Sequence, residues 1–193
     1  MFSQSLYALS KEELAILALI IGSYDARNKP PILKGVMKLA FLAFNTYEGK
    51  LDFKYFDDVP FVVYDYGVFS KKVLDIIDKL QNYGFIKKAQ EIVACEIGIK
   101  TVVHLMKTER TPTLEEVINE LRKKDPELAK RVIDVIRSYG KYNARRLEEI
   151  TNKLVQISEI TKTIFYGVPV KQVFEIRQRA RELVEQGEAS IEV

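Results

Sequence analysis

The sequence has few of the residues that build covalent or metal-bound centres, with one cysteine, one histidine and no tryptophan among 193 residues. A single cysteine, Cys95, cannot form a disulfide within the chain, and His104 alone cannot complete a Cys/His zinc site. The longest apolar run, Leu14 to Ile21, is shorter than the roughly 20 residues that cross a bilayer. The N-terminus also lacks the basic region and cleavage site of a signal peptide. We therefore expect a cytoplasmic protein without metal, cofactor or membrane span.

The chain also has little net charge. The chain holds 30 basic and 27 acidic residues, a formal net charge of +3, which is too small to indicate nucleic-acid binding by itself. The small positive excess lies in residues 69–110. Hydrophobic residues at 47% and charged residues at 30% are typical of a folded, soluble domain with a packed core.

Two helices are predicted in the first 45 residues. Ser10 and Glu13 form a capping box ahead of the apolar run, which predicts a helix from Lys11 to about Ile21 that is covered on most sides. A proline pair at 30–31 then opens a second helix. Its apolar residues recur at spacings of three and four: Leu33, Val36, Met37, Ala40, Phe41 and Phe44. We expect its solvent side to carry Lys34 and Lys38.

A third helix and a hairpin follow an aromatic loop. Residues 51–69 are predicted to form a loop with a short strand at Phe61 to Tyr64. Two aromatic residues of this loop, Tyr66 and Phe69, are expected to be buried. Ser70 is a helix N-cap for residues 71–83, and Gly84 ends that helix. Two β-rich runs, 85–88 and 101–106, predict a hairpin. Three helices followed by a hairpin is the order of a winged helix-turn-helix domain.

The segments Lys38 to Leu42, Tyr64 to Ser70 and Gly84 to Ile86 resemble the Panacea domain and related phage-associated proteins. The shared pattern is a K-L-x-F-L helix, an aromatic loop, then Y-x-Y-G-P-[aromatic]-S leading into a helix that ends in G-[LF]-I. The resemblance covers residues 30–88 well and 141–166 loosely, and it departs at Val68, where the family usually has proline. It implies a winged-helix-like module of antitoxins and mobile-element proteins, and it brings no catalytic residue.

Beyond residue 110 the pattern is wholly helical. Thr113 with Glu116 forms a second capping box, Asp125 with Pro126 starts another helix, and Asn143 can cap a third. The third is predicted to run from about 144 to 165 with an apolar seam on one face: Leu147, Ile150, Leu154, Ile157 and Ile164. A last helix follows Gly167 and Pro169. The seam must be buried against another helix, either within the same chain or in a second subunit, and because the seam is long we favour a homodimer.

The sequence thus predicts a mostly α protein with a small β-hairpin, of the α+β class. A winged helix-turn-helix domain would span residues 1–110, and a helical extension with a dimerisation role would span 111–193. Neither Cys95 nor His104 has the neighbours of a nucleophile or a base, so an enzyme is not expected.

Double-stranded DNA is the first partner to consider, because winged-helix proteins place the third helix in the major groove. The residues expected to contact DNA lie on the second helix, the third helix and the hairpin: Lys34, Lys38, Ser70, Lys71, Lys72, Lys79, Asn82, Lys87, Lys88 and Lys100. Asp75 and Asp78 on the same helix would oppose a polyanion. The function expected is a DNA-binding regulator. The alternative is an antitoxin-like or adaptor module that binds a protein such as a toxin through aromatic anchors, including Tyr55, Phe56 and Tyr64.

Overall fold

Eight α-helices and three two-stranded antiparallel sheets make up the part of the chain described by the computed structural model, residues 5–95 and 98–185. The helices are α1 Lys11–Arg27, α2 Leu33–Asn45, α3 Lys71–Asn82, α4 Leu114–Lys124, α5 Pro126–Tyr139, α6 Ala144–Val155, α7 Glu159–Ile164 and α8 Val170–Glu185. The strands are β1 Thr46–Tyr47, β2 Lys50–Leu51, β3 Val62–Tyr64, β4 Gly67–Phe69, β5 Ile86–Cys95 and β6 Gly98–Lys107. The predicted mostly α, α+β class is confirmed. Within these residues, no helix combines the length and the apolarity that crossing a membrane requires.

Helix α1 is the centre of the core. Its predicted capping box is confirmed: Ser10 N donates to Glu13 Oε2 at 2.9 Å, and Glu13 N donates to Ser10 Oγ at 3.2 Å. Every side chain from Leu14 to Ile21 is fully buried, because α2, α3, α4 and α5 all contact this helix. It runs past the predicted end to Arg27 and stops where Asn28 adopts a left-handed conformation, which asparagine tolerates.

The core does not divide at residue 110. Leu121 and Val132, beyond that position, belong to the same hydrophobic cluster as Leu14. Helix α5 approaches α1 so closely that a Cβ at Gly22 would lie 2.6 Å from a side-chain carbon of Ile136. The helices that were predicted as an extension therefore cover the central helix of the N-terminal half.

Residues 46–70, between α2 and α3, hold two small hairpins. The predicted strand at 61–64 is found as β3, and its partner β4 was not predicted; the two pair from Val62 with Phe69 to Tyr64 with Gly67. The other side of β3 bonds to the segment before α8: Val63 N donates to Val168 O at 3.0 Å, and Gly167 N donates to Val63 O at 2.8 Å. The β3–β4 hairpin is thus fixed by a segment about a hundred residues later in the chain.

Helix α3 and the β5–β6 hairpin follow in the predicted order. The Ser70 hydroxyl accepts from Val73 N, as expected of an N-cap, and the predicted apolar stripe is buried: Val73, Ile76, Ile77 and Leu80. The hairpin is longer than predicted, because pairing extends from Ile86 with Lys107 to Cys95 with Gly98. Ten-residue strands span about 34 Å. The outer part of the hairpin is exposed, including Ile92 and Ile99.

The predicted single helix from 144 to 165 is wrong. Gln156 adopts a left-handed conformation with φ 57°, which ends α6. Ser158 then caps α7 by accepting from Thr161 N at 3.2 Å. The hydroxyl of Ser158 accepts a backbone hydrogen bond at this point and starts a new helix.

The predicted dimerisation seam therefore does not form one face. Leu147 and Ile157 are buried in the core of the same chain, and Ile150 and Leu154 pack against that core. Ile164 is 65% exposed on the next helix. These residues do not form one exposed contact surface: Leu147, Ile150, Leu154, Ile157 and Ile164. The homodimer stays a prediction, but this seam no longer supports it.

Two alanine substitutions separate a core position of the former seam from an exposed one. Leu147→Ala removes a side chain that is 1% exposed and should lower the free energy of unfolding by about 2–5 kcal/mol. Ile164→Ala should change it by less than about 0.5 kcal/mol. Urea titration followed by circular dichroism measures both, and a large loss for Ile164→Ala alone would show that α7 is buried against a second chain.

Candidate functional site

A groove of about 770 Å³ lies between the N-terminal half of α2, the β3–β4 hairpin and strand β6. Its floor is apolar and includes Met37, Phe69 and Leu74, and its rim carries Lys34, Lys100 and Arg145. No carboxylate is among the lining residues that the structure describes. The groove therefore combines an apolar floor with a cationic rim.

Lys38 fixes one wall of this groove and is not a solvent-facing residue. Its side chain is 2% exposed, and Nζ donates to Tyr66 O at 2.6 Å and to Val68 O at 2.7 Å. An unpaired buried carbonyl or ammonium is costly, so this pairing holds the β3–β4 hairpin firmly against α2. The prediction that Lys38 faces solvent and contacts DNA is wrong.

Burial changes the acid–base behaviour of Lys38. Removal from water disfavours the charged form and lowers the pKa of Lys38 to about 7, against an opposing attraction from Glu148 and with a further lowering by Lys34. The two carbonyl acceptors are served by an amine as well as by an ammonium, since both forms carry N–H donors. Lys38 can thus hold the hairpin on either side of neutral pH.

Gly67 is required at the hairpin turn by both conformation and space. Its φ is +84°, and a Cβ there would lie 2.0 Å from Asn152 Oδ1 of helix α6. The same Asn152 oxygen is buried with no hydrogen-bond partner among the described residues. The turn is therefore pressed directly against α6, so the groove wall has support from α2 and from α6.

The aromatic side chains of the hairpin differ in how far they are exposed. The ring of Tyr64 contacts that of Phe69, with centroids 5.1 Å apart, and that of Tyr166, with centroids 4.7 Å apart, and Tyr64 is 38% exposed. Tyr66 is 64% exposed, and Lys34 Nζ lies 4.2 Å from its ring centroid. Tyr66 was expected to be buried, and this expectation is wrong. Phe69 is half-buried against the core.

Several of the residues that were predicted to contact DNA are already engaged within the chain. Ser70, like Lys38, is buried, because it caps α3. Lys34 Nζ lies 2.5 Å from Glu148 Oε2, and Lys79 Nζ lies 3.5 Å from Glu13 Oε1. Lys88 pairs with Asp78. The remaining five are exposed: Lys71, Lys72, Asn82, Lys87 and Lys100. Ser70 is therefore wrong as a DNA contact, and the ion pairs reduce the available charge of three lysines.

The structure brings only some of the residues that were predicted to contact DNA into one site. Lys34 and Lys100 line the groove, together with Arg145, which sequence reasoning did not select. Lys71 and Lys72 lie at the start of α3, outside the lining of the groove. Arg145 belongs to the loosely matching segment 141–166, and no local signal places that segment beside α2. Only the tertiary contact between α2 and α6 does so.

His104 and Cys95 are the residues that the sequence analysis considered as a base and a nucleophile. His104 Nε2 lies 2.7 Å from Glu91 Oε2 across the β5–β6 hairpin, and the side chain of Cys95 lies outside the described residues. Within residues 5–95 and 98–185, no group of three or more His, Cys, Asp or Glu side chains is arranged to hold a metal ion. Comparison with known proteins finds no family model, no curated protein and no solved structure that matches the chain.

The buried amine makes a pH-dependent contribution to stability. A lysine has a pKa near 10.4 when unfolded, so between about pH 7 and pH 10 the unfolded chain binds more protons at this position than the folded one. The free energy of unfolding should rise with pH in this window, by up to about 1.4 kcal/mol per unit from Lys38. Below pH 7 this contribution is flat. Replacement by Lys38→Met should remove the rise.

Urea titrations at pH 6.5 and 9.5 measure this effect as the difference between wild type and Lys38→Met. The free energy of unfolding of wild type relative to Lys38→Met should increase with pH. The exposed substitution Lys72→Met should show no such change with pH relative to wild type. Equal differences at both pH values would contradict a depressed pKa for Lys38.

Two glycines test the close approach of the hairpin to α6. Gly49 has φ +78° with no atom near its added Cβ, and Gly67 has φ +84° with Asn152 in contact. Gly49→Ala should cost about 1–2 kcal/mol, because a Cβ is unfavourable in the left-handed region. Gly67→Ala should cost clearly more in thermal denaturation. Equal losses would show that the contact with Asn152 is not tight.

Proposed function

We propose that the chain is a non-enzymatic protein-binding module whose binding surface is the groove between α2, the β3–β4 hairpin and β6. The observation that carries the proposal is the combination of an apolar floor, a rim of Lys34, Lys100 and Arg145, and an exposed tyrosine, Tyr66. Protein interfaces are rich in tyrosine and arginine over an apolar centre. The hydrogen bonds of Lys38 hold this surface in place before a partner arrives, which reduces the entropy that binding must overcome.

The resemblance to the Panacea domain supports an antitoxin-like or adaptor role. The two segments that carry most of the resemblance, Lys38 to Leu42 and Tyr64 to Ser70, form one structural unit, since Lys38 bonds the carbonyls of Tyr66 and Val68. That unit is a wall of the groove. We propose that the pattern serves to build a binding wall rather than a reactive centre, with a partner such as a toxin.

The predicted aromatic anchors need revision under this proposal. Tyr55 is 3% exposed and Phe56 is 7% exposed, and Tyr55 Oη donates to Asp125 Oδ1 at 2.9 Å. Both residues belong to the core. Tyr64 contacts the rings of Phe69 and Tyr166 and is still 38% exposed, so Tyr64 and the more exposed Tyr66 are the open aromatic side chains of the hairpin.

Duplex DNA is the second candidate partner, through a winged-helix arrangement of α1, α2, α3 and the β5–β6 hairpin. It is favoured by the exposed Lys71 and Lys72 at the start of α3, which make no ion pair with a described residue. It is opposed by exposed Asp75 and Asp78 on the same helix, and by the 46–70 segment, which replaces the short turn of a helix-turn-helix. The groove offers the better-formed surface.

A two-hybrid screen of fragments from the genome that encodes the chain tests the proposed function. Wild type should select partners that are lost with the paired substitution Tyr66→Ser and Lys100→Glu, and retained with Lys71→Ala and Lys72→Ala. Both pairs alter exposed side chains and should leave the fold intact. Partners that ignore the groove substitutions would contradict the proposal.

Fluorescence anisotropy with duplex DNA tests the second candidate. If Lys71 and Lys72 contact phosphates, replacing both by alanine should weaken binding to all sequences and lower the salt slope by about 1 per contact. Wild-type protein that does not bind duplex DNA at low salt would remove this candidate.

A further inference from the structure

We infer that the groove binds an acidic peptide segment as an additional strand along the outer edge of β6, with carboxylates directed to the cationic rim. This inference rests on the proposed protein-binding function and specifies the chemistry and the conformation of the partner. Three features carry it: an unpaired strand edge, the charge of the rim and the apolar floor.

The outer edge of β6 is open along the groove. Leu105 N donates to Pro31 O at 2.8 Å, away from β5, so the backbone N–H and C=O of Leu105 face outward. These groups alternate along a strand, so those of Thr101 and Val103 face the same way. Among the described residues, the outer edge of β6 pairs only at His104, with Ile32. From Thr101 to the tip, the edge is a template for a further strand.

The open edge of β6 lies inside the groove, so it can serve as part of the binding surface. Lys100, Thr101, Val102 and Val103 all line the groove, so a strand that pairs with Thr101 lies inside it. The bridge between Ile32 and His104 closes one end, because it joins the start of α2 to β6. An incoming strand therefore extends from that bridge toward the tip of the hairpin.

The charge of the rim selects an acidic segment. Lys100 makes no ion pair with any residue that the structure describes, and it is exposed. The other two cations have partners on α6: Lys34 with Glu148 at 2.5 Å, and Arg145 Nε with Glu149 Oε1 at 3.5 Å. Since the lining itself contributes no described carboxylate, carboxylates of the partner would meet Lys100 directly and would share Lys34 and Arg145 with the glutamates of α6.

The floor adds a requirement for alternate apolar side chains. In a strand, successive side chains point to opposite faces. A segment that directs carboxylates to the rim would direct every second side chain toward Met37, Phe69 and Leu74. The partner sequence that fits is therefore one in which acidic and apolar residues alternate.

A single-stranded nucleic acid also carries negative charge, but the aromatic rings of the groove already have neighbours within the chain. Bases bind such grooves by stacking on open aromatic rings. The ring of Tyr64 contacts those of Phe69 and Tyr166, and Lys34 Nζ occupies one face of the exposed Tyr66 ring. The open backbone edge of β6 has no counterpart in nucleic-acid recognition of this kind. These observations favour a peptide.

Labelled hexapeptide pools test the inference directly. The acidic pool has the pattern Glu-X-Glu-X-Glu-X, with Val, Ile, Leu or Phe at X, and the matched pool has Lys in place of Glu. The acidic pool should bind wild type in fluorescence anisotropy and the Lys pool should not. Raising salt should weaken the binding, because the rim charges are exposed. An acidic pool that carries N-methyl groups on alternate backbone nitrogens should lose binding, because it cannot pair with the edge.

Variants and amide exchange locate the binding. Lys100→Glu should weaken binding of the acidic pool by about tenfold or more, whereas Lys50→Glu, an exposed substitution outside the groove, should have little effect. Amide hydrogen exchange by NMR should show protection of Thr101 and Val103 in the complex. Absence of binding by the acidic pool, or binding without protection at Thr101, would overturn the inference.

The inference and the proposed function can fail separately. A genomic partner that depends on Tyr66 and Lys100 but leaves the Thr101 amide unprotected would keep the groove as the binding surface and overturn the added strand. Single-stranded DNA that competes with the acidic pool and protects no β6 amide would assign the groove to nucleic acid and overturn both.

Discussion

The burial of one helix on every side is the constraint from which the architecture follows. Helix α1 is apolar around its whole circumference from Leu14 to Ile21, and such a helix is stable in water only when other elements cover all its faces. Helices α2 and α3 cover part of it, and α4 and α5 must return from the second half of the chain to cover the rest. That return places α6 against α2, and the groove wall is built where they meet.

Local signals predicted the elements well where capping chemistry decides them. Ser10, Ser70, Thr113, Asp125 and Asn143 all cap the helices expected of them. At residue 156 the apolar spacing continues, but the left-handed Gln156 ends α6 and the capping hydroxyl of Ser158 starts a new helix that the spacing did not predict. The hydrophobic cluster crosses the predicted boundary at residue 110, because the coverage that α1 needs is a property of the whole core rather than of any segment.

The candidate site was less predictable, because its decisive groups depend on tertiary position. Lys38 has the sequence context of a solvent-facing lysine on an amphipathic helix, and only the carbonyls of Tyr66 and Val68 explain its burial. The predictions for two tyrosines were both wrong. Tyr66 was expected to be buried and is exposed, and Tyr55 was expected to be an exposed anchor and lies in the core. Arg145 reaches the groove through the contact of α6 with α2, which residues 30–88 alone cannot reveal.

The hydrogen bonds of β3 have a consequence for the order in which the chain folds during synthesis. Phe61 and Val63 are made early, yet their partners Val168 and Val170 are among the last parts of the described chain to leave the ribosome. A nascent chain can form α1 and α2 long before the β3–β4 hairpin gains its second set of backbone partners. The groove therefore reaches its final shape only after residue 170 has been synthesised, so a partner that recognises this shape binds nascent chains only once they extend past this point.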